Sequence, residues 1–146
     1  MKITYRGDYA LKAVLDLALH YGCELVTIHD MAKRIDAPVK FLEQVLLELK
    51  KGGFIESRRG KVGGFLLSKS PDKITVGDVV RFVDGPVEPI ACVSHKYVAC
   101  RDIHKCVFKN IWKDVAQATS NIIDNITFED LVKQVSSKCD VLEYAI

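Results

Sequence analysis

Three cysteines, Cys92, Cys100 and Cys106, fall within fifteen residues of a 146-residue chain, and two of its four histidines, His95 and His104, lie among them. Clustered thiols and imidazoles can bind a metal, form a bridge or carry redox chemistry, and spacing helps to separate these. The pattern is C-x7-C-x5-C. Structural zinc sites usually pair cysteines about two to four residues apart, and this segment does not. Thioredoxin-like chemistry needs C-x-x-C, which is absent. A cysteine protease sets its nucleophile in a scaffolded cleft, unlike a loop that follows Pro86 and Pro89 and carries three thiols. No enzyme is expected, with a metal or thiol-redox enzyme as the less favoured alternative. Iron–sulfur clusters prefer thiolate ligands and accept irregular loop spacing. Lys96, Arg101 and Lys105 would offset the negative charge of such a cluster. On spacing alone, three readings stay open: an iron–sulfur ligand set, a site for another metal, and an unligated, reduced loop.

The rest of the chain sets the context. With 49% hydrophobic and 27% charged residues, a packed core is expected without disulfide staples. No apolar run approaches the roughly 20 residues of a membrane span, so no membrane partner is expected. The start, MKITYRGDYALKAV, lacks a signal-peptide pattern, so a cytoplasmic location is expected. Thiols are kept reduced there, and five cysteines is an odd count for a disulfide framework.

The loop must be positioned by the elements around it. Ala10, Leu11, Val14, Leu15, Leu17 and Ala18 have the spacing of a helix over about 8–21, ended by Gly22. Thr27 and Asp30 form a capping-box pattern ahead of a short helix at about 28–35. A third helix follows Pro38, with Phe41, Leu42, Val45, Leu46 and Leu49 as its buried stripe and Gly52-Gly53 as its stop. Lys40, Glu43, Gln44 and Leu47 fall outside that stripe. Residues 54–58 and 65–68 read as a hairpin whose glycines supply the turn and whose tip carries Arg58, Arg59 and Lys61. Thr75 and Asp78 cap a fourth helix. After the cysteines, Phe108, Ile111, Trp112, Val115, Ala118, Ile122, Ile123 and Ile126 recur every three or four residues, an amphipathic helix of about five turns. Another capped turn is expected at Thr127. The last ten residues read as weakly structured, and no other long helix is expected in the C-terminal part.

Two short helices, a tight turn and a basic Gly-rich hairpin make a winged helix-turn-helix. The fold class is mostly α with a small β-hairpin. Residues 50–73 hold seven Lys and Arg against Glu56 and Asp72, the footprint of a polyanion partner. An α-helix fits the major groove, where Gln pairs with adenine edges and Lys bonds guanine or phosphate. Lys40 and Gln44 are the candidates for that role. Wing arginines suit phosphates or the narrow minor groove. The apolar stripe of the long helix would be covered in a two-fold dimer, which would also space two reading helices for a palindromic operator in double-stranded DNA.

Four stretches, MKITYRGDYALKAVLDLAL, FLEQVLLELKKGGFIESRRGKVGGFLL, ITVGDVVRFVDG and NITFEDLV, carry a more specific signal. In order and spacing, over nearly all of residues 1–135, they resemble the IscR/NsrR-type winged-helix transcription regulators, in their iron–sulfur cluster-binding branch. The wing pattern from Arg59 to Leu67 and three cysteines ahead of the long helix are specific in combination. The resemblance implies a homodimer, a dimerisation helix, and a cluster held by Cys92, Cys100 and Cys106. It also implies that Arg59 enters the minor groove and that the third helix reads the operator. Glu43-Gln44 matches the family's recognition-helix pair, whose glutamate is linked in IscR-like relatives to how cluster occupancy changes operator choice. The domains expected are a DNA-binding domain at 1–85, a cluster loop at 86–107, a dimerisation helix region at 108–135 and a tail at 136–146.

The chain departs from the family pattern at two points. The first cysteine interval is two residues longer than the common form. Lys109 stands where IscR-like members have a histidine ligand, and an ammonium must lose its proton before it can ligate. The fourth ligand is left to His104, to His95 as a second loop histidine, or to Asp8, which matches a position where nitric-oxide-sensing relatives use an aspartate from the partner subunit's first helix. Asp8 also sits where it could cap its own helix. Three Cys and a His suit [2Fe-2S]; three Cys and an Asp suit [4Fe-4S]; the two-iron form is the expectation. The signal expected is iron–sulfur status, redox state or nitric oxide. Cys23 and Cys139 are expected to take no part.

Overall fold

A computed structural model describes residues 1–94 and 96–144, with side chains described through residue 137. His95 lies outside the described residues, as does the side chain of Cys139.

Helix α1 spans Tyr5–Leu19, α2 Ile28–Ile35 and α3 Val39–Lys51. Thr4, not Asp8, caps α1: its side chain accepts the Gly7 amide at 3.1 Å, so the helix starts three residues earlier than its apolar periodicity suggests. Asp8 sits inside the first turn, where a carboxylate meets the positive end of the helix. Thr27 caps α2 by accepting from the Asp30 amide, and Asp36 ends it in the left-handed region at φ 51°. Pro38 opens α3, where its missing N–H removes no helical hydrogen bond. Leu42, Val45, Leu46 and Leu49 are buried on one side of α3. Phe41, expected in that stripe, lies at its rim with 36% exposure and meets Tyr9 edge-on at 5.4 Å.

Strands β1 (Ile55–Arg58) and β2 (Gly64–Leu67) pair antiparallel, with Ile55 opposite Leu67 and Arg58 opposite Gly64. A bridge from Val26 to Phe65, with hydrogen bonds of 3.0 and 2.8 Å, ties the hairpin to the segment just before α2. After a 3-10 turn at Pro71–Lys73, α4 (Val76–Asp84) begins with a capping box between Thr75 and Asp78.

Helix α5 spans Phe108–Ile123 and α6 Phe128–Tyr144. The second of these corrects the expectation of a weakly structured end and of no further long helix: α6 continues through the boundary placed at 135/136. It does not leave α5 covered. Phe128 is fully buried, and Leu131 and Val132 pack on the same core, so the apolar residues of α6 go to α1 and the Pro71–Lys73 turn. That core gathers Leu17, Met31, Leu42, Leu46, Leu49, Ile55, Leu67, Ile74 and Val79 from α1 to α4 and both strands. Phe108, Ile111, Trp112, Val115 and Ile122 of α5 stay exposed.

Candidate functional site: a nucleic-acid interface and a cysteine loop

Burial of one side of α3 decides what its other side offers. Lys40, Glu43 and Gln44 are all exposed, and Lys40 and Gln44 stand four residues apart on one face. Glu48, one turn further on, is held by Arg6 of α1 at 3.4 Å. Arg58, Arg59 and Lys61 are exposed at the end of the hairpin, where Gly60 adopts φ 136° and a side chain at Gly63 would run into the Arg58 carbonyl. Lys50, at the end of α3, donates to Ser57 of β1 at 2.6 Å and so pins the wing to the helix. Sequence reading missed that contact, because nothing local distinguishes Lys50 from its solvated neighbour Lys51. The arrangement can place a polar helix face in a groove while flanking guanidinium and ammonium groups meet phosphates.

The three cysteines are unbridged and half-buried. Cys92 lies in a 3-10 turn at Ala91–Val93. Cys106 closes a turn on Asp102, its amide donating to the Asp102 carbonyl at 2.9 Å, and its own carbonyl accepts from Lys109 in the first turn of α5. The loop therefore runs directly into α5. A cavity of about 230 Å³ beside Cys92 is lined by Ser94, Tyr97, Ile103, Lys109 and Lys113. Lys109 and Cys92 thus line the same cavity. Among the described residues no three His, Cys, Asp or Glu converge on a single metal ion. A cluster spreads its ligands over several irons, and three unpaired thiols on one segment fit its donor chemistry.

Of the candidate fourth ligands, His95 lies outside the described residues, and neither His104 nor Asp8 is joined to the cysteines. His104 is exposed on the loop. Asp8 is half-exposed and bound to Lys12 at 2.7 Å; that hydrogen bond is the chief reason the Lys12 ammonium is held above its ordinary range.

A feature that periodicity could not reveal joins α4 to α5. The Arg81 guanidinium forks onto both carboxylate oxygens of Asp124 and also donates to Ser120 at 3.0 Å.

A tri-helical core, an outward-facing polar side on α3 and a two-stranded basic wing define a winged helix-turn-helix regulator. Residues 3–134 match the Rrf2 family, described as "Iron-dependent Transcriptional regulator", and the chain belongs to that family of transcriptional regulators. It is 35% identical over 148 residues to a putative HTH-type transcriptional regulator rrf2-like of Rhodobacter capsulatus, covering 97% of this chain and 99% of the relative. It is 34% identical to the HTH-type transcriptional regulator IscR of Yersinia pseudotuberculosis, over 99% of this chain and 85% of that one. Among solved structures, CymR of B. subtilis, described as the global cysteine regulator, superposes with a TM-score of 0.76 at 28% identity, covering 92% of this chain and 98% of that one. No helix among the described residues is long and apolar enough to cross a membrane.

Proposed function

We propose that this protein is a cytoplasmic, homodimeric regulator that binds a palindromic operator in double-stranded DNA and adjusts its affinity through an iron–sulfur cluster. The observation that carries DNA binding is the exposed Lys40, Glu43 and Gln44 face of α3 next to the Arg58, Arg59 and Lys61 tip. Lys40 and Gln44 read base edges, Glu43 tunes that choice, and Arg59 enters the minor groove. Cys92, Cys100 and Cys106 hold the cluster, and either His104 or Asp8 of the partner subunit completes it. A [2Fe-2S] form follows from a Cys3His set and a [4Fe-4S] form from an aspartate; the two-iron form is favoured. The division that this reading uses is 1–85 for DNA, 86–107 for the cluster and α5 for the dimer; α6 packs on the DNA-binding core. The cluster supplies a redox- and nitric-oxide-sensitive centre. The chain's own loop, continuous with α5, stabilises one conformation over another, which is the only way a ligand can shift an equilibrium.

A second reading keeps the DNA role without a cluster, with the loop thiols answering to a thiol signal or a protein partner. Two observations favour it: Lys109 beside Cys92 where relatives have a histidine, and the likeness to CymR, described as a cysteine regulator.

One set of measurements decides between them. Protein purified anaerobically is examined by ultraviolet–visible and Mössbauer spectroscopy, with iron and labile sulfide assayed, as wild type and as Cys100→Ser, His104→Ala and Asp8→Ala. A coloured wild type and a colourless Cys100→Ser are expected, with one of the other two variants altering the spectrum. A wild type lacking iron and sulfide supports the second reading. Absence of salt-sensitive duplex binding at low ionic strength would sink both.

A further inference from the structure

Helix α5 packs on the 3-10 turn at Ala91–Val93, and its C-terminal end is tied to the DNA-binding core. At its C-terminal end the turn into α6 is bonded to the start of α4: the Val76 amide donates to the Ile126 carbonyl at 2.9 Å and the Phe128 amide to the Ile74 carbonyl at 3.0 Å. These form an antiparallel bridge between Thr75 and Thr127. Arg81 of α4 holds Asp124 and Ser120 with three hydrogen bonds. Asp124 lies so close over Gly77 that a Cβ there would overlap its carboxylate. The planar guanidinium fork, a missing side chain and a backbone bridge all fix one docking angle. The other end is different. The N-cap residue of α5, Val107, offers no side-chain hydrogen bond, and Phe108, Ile111 and Trp112 are exposed. That end begins two residues after Cys106.

A 16-residue helix is about 24 Å long. If its apolar side seats the dimer partner, the angle at which α4 grips α5 sets where each α3 stands relative to the two-fold axis. We propose that Arg81 and Asp124 are positioning residues: their joint fixes the separation of the two recognition helices, and hence which half-site spacing the dimer accepts. This rests on the DNA-binding dimer proposed above. The pair touches no DNA in this reading and acts through the orientation of α3. An isolated exposed ion pair would contribute little. What gives this one a role is that it sits, beside the Thr75–Thr127 bridge, where the C-terminal end of α5 meets the DNA-binding core.

The test uses the full chain and a duplex selected by the wild type from a randomised pool. The same half-sites are then presented one and two base pairs closer or further apart, and also singly. Arg81→Lys keeps the charge but loses the fork, Asp124→Asn keeps the shape but loses the charge, and Gly77→Ala displaces the carboxylate. Glu129→Gln removes the exposed Glu129–Lys133 pair as a control. The wild type and the control should favour one spacing by roughly ten-fold or more, since misplaced half-sites forfeit base contacts. The three joint variants should flatten that preference to within about three-fold while binding a single half-site as the wild type does. An unchanged spacing profile overturns the inference, as does a uniform loss on single and paired sites alike, which marks the pair as a support of folding alone. A wild type that selects no duplex removes the DNA-binding reading and this inference with it, and is distinguished by that failure.

Discussion

Arg34 of α2 donates from Nε and Nη2 to the two carboxylate oxygens of Asp16 of α1, at 2.7 and 2.9 Å, and Asp16 is only 5% exposed. It is the one buried charged residue among the described residues. The fork fixes the crossing of α1 and α2, and α2 in turn supports α3. The two halves of the pair are unequal, because the Arg34 side chain keeps 40% of its surface in water. Removing Arg34 strands a buried carboxylate; removing Asp16 strands a cation that can reach solvent. Arg34→Met should therefore cost about 3 kcal/mol of unfolding free energy and Asp16→Asn clearly less. Denaturant titration of both variants checks the order, and equal losses would contradict it.

Phe128 ties α6 into the core from a distant part of the chain. Phe128→Ala should lower stability by about 3–5 kcal/mol, since its site is closed on all sides and relaxes poorly. A loss under about 1 kcal/mol, read as the shift in the denaturant midpoint, would mean that α6 is dispensable to the core.

Asp130 links acid stability to the same helix. Its carboxylate accepts the Thr127 amide at 3.0 Å and the Thr127 hydroxyl at 2.9 Å, and these bonds, the amide first, hold its pKa below the ordinary carboxylate value. A group whose folded pKa is depressed stabilises the fold above its unfolded pKa. That contribution is lost as pH falls through the folded value. Asp130→Asn should make the stability profile shallower on the acid side and leave the shape unchanged near neutrality. Thermal melting from neutral pH down through the carboxylate range measures this, and identical acid limbs would refute it.

The two DNA-facing elements should fail differently. Lys61→Ala, at the wing tip, should weaken binding to all duplexes and reduce the slope of log affinity against log salt by about one unit, as loss of a phosphate contact does. Gln44→Ala should leave that slope in place and relax selectivity at one base pair by about 1–3 kcal/mol. Fluorescence anisotropy over a salt series with specific and scrambled duplexes separates the two, and a Gln44→Ala profile identical to wild type would remove Gln44 from the reading face.

The exposed side of α5 should be where two copies meet. Trp112→Glu or Ile111→Glu should convert a dimer to a monomer that still binds one half-site, as measured by light scattering and half-site titration. Both residues are exposed here, so neither change should impair folding of the protomer. A dimer that persists in both variants places the interface elsewhere.

Much of this protein is legible in its sequence. Periodicity, the Thr27 and Thr75 caps, the α3 stripe and the glycine-bearing hairpin are local features. They depend on residues within a few positions of one another, and the observed elements follow them closely. The errors were local rules outcompeted by distant partners. Thr4 starts α1 because Asp84, at the far end of α4, accepts its amide at 3.0 Å and fixes it in place. Phe41 leaves the core because Tyr9 meets it at the rim. The capped turn expected at Thr127 continues as α6 to Tyr144, into the stretch that reads as weakly structured, and Phe128, Leu131 and Val132 at its start pack on the core built by residues before position 80.

The same division holds for the sites. The kinds of residue that could meet DNA or bind a cluster, and their order along the chain, were set by sequence, because donor chemistry belongs to the side chains themselves. Only the tertiary structure decided that α6 packs on α1 and leaves α5 exposed, that Lys50 pins the wing, and that Arg81 meets Asp124 across 43 positions. Those contacts depend on how helices cross, and crossing is a compromise among all the buried surfaces at once, which no single segment encodes.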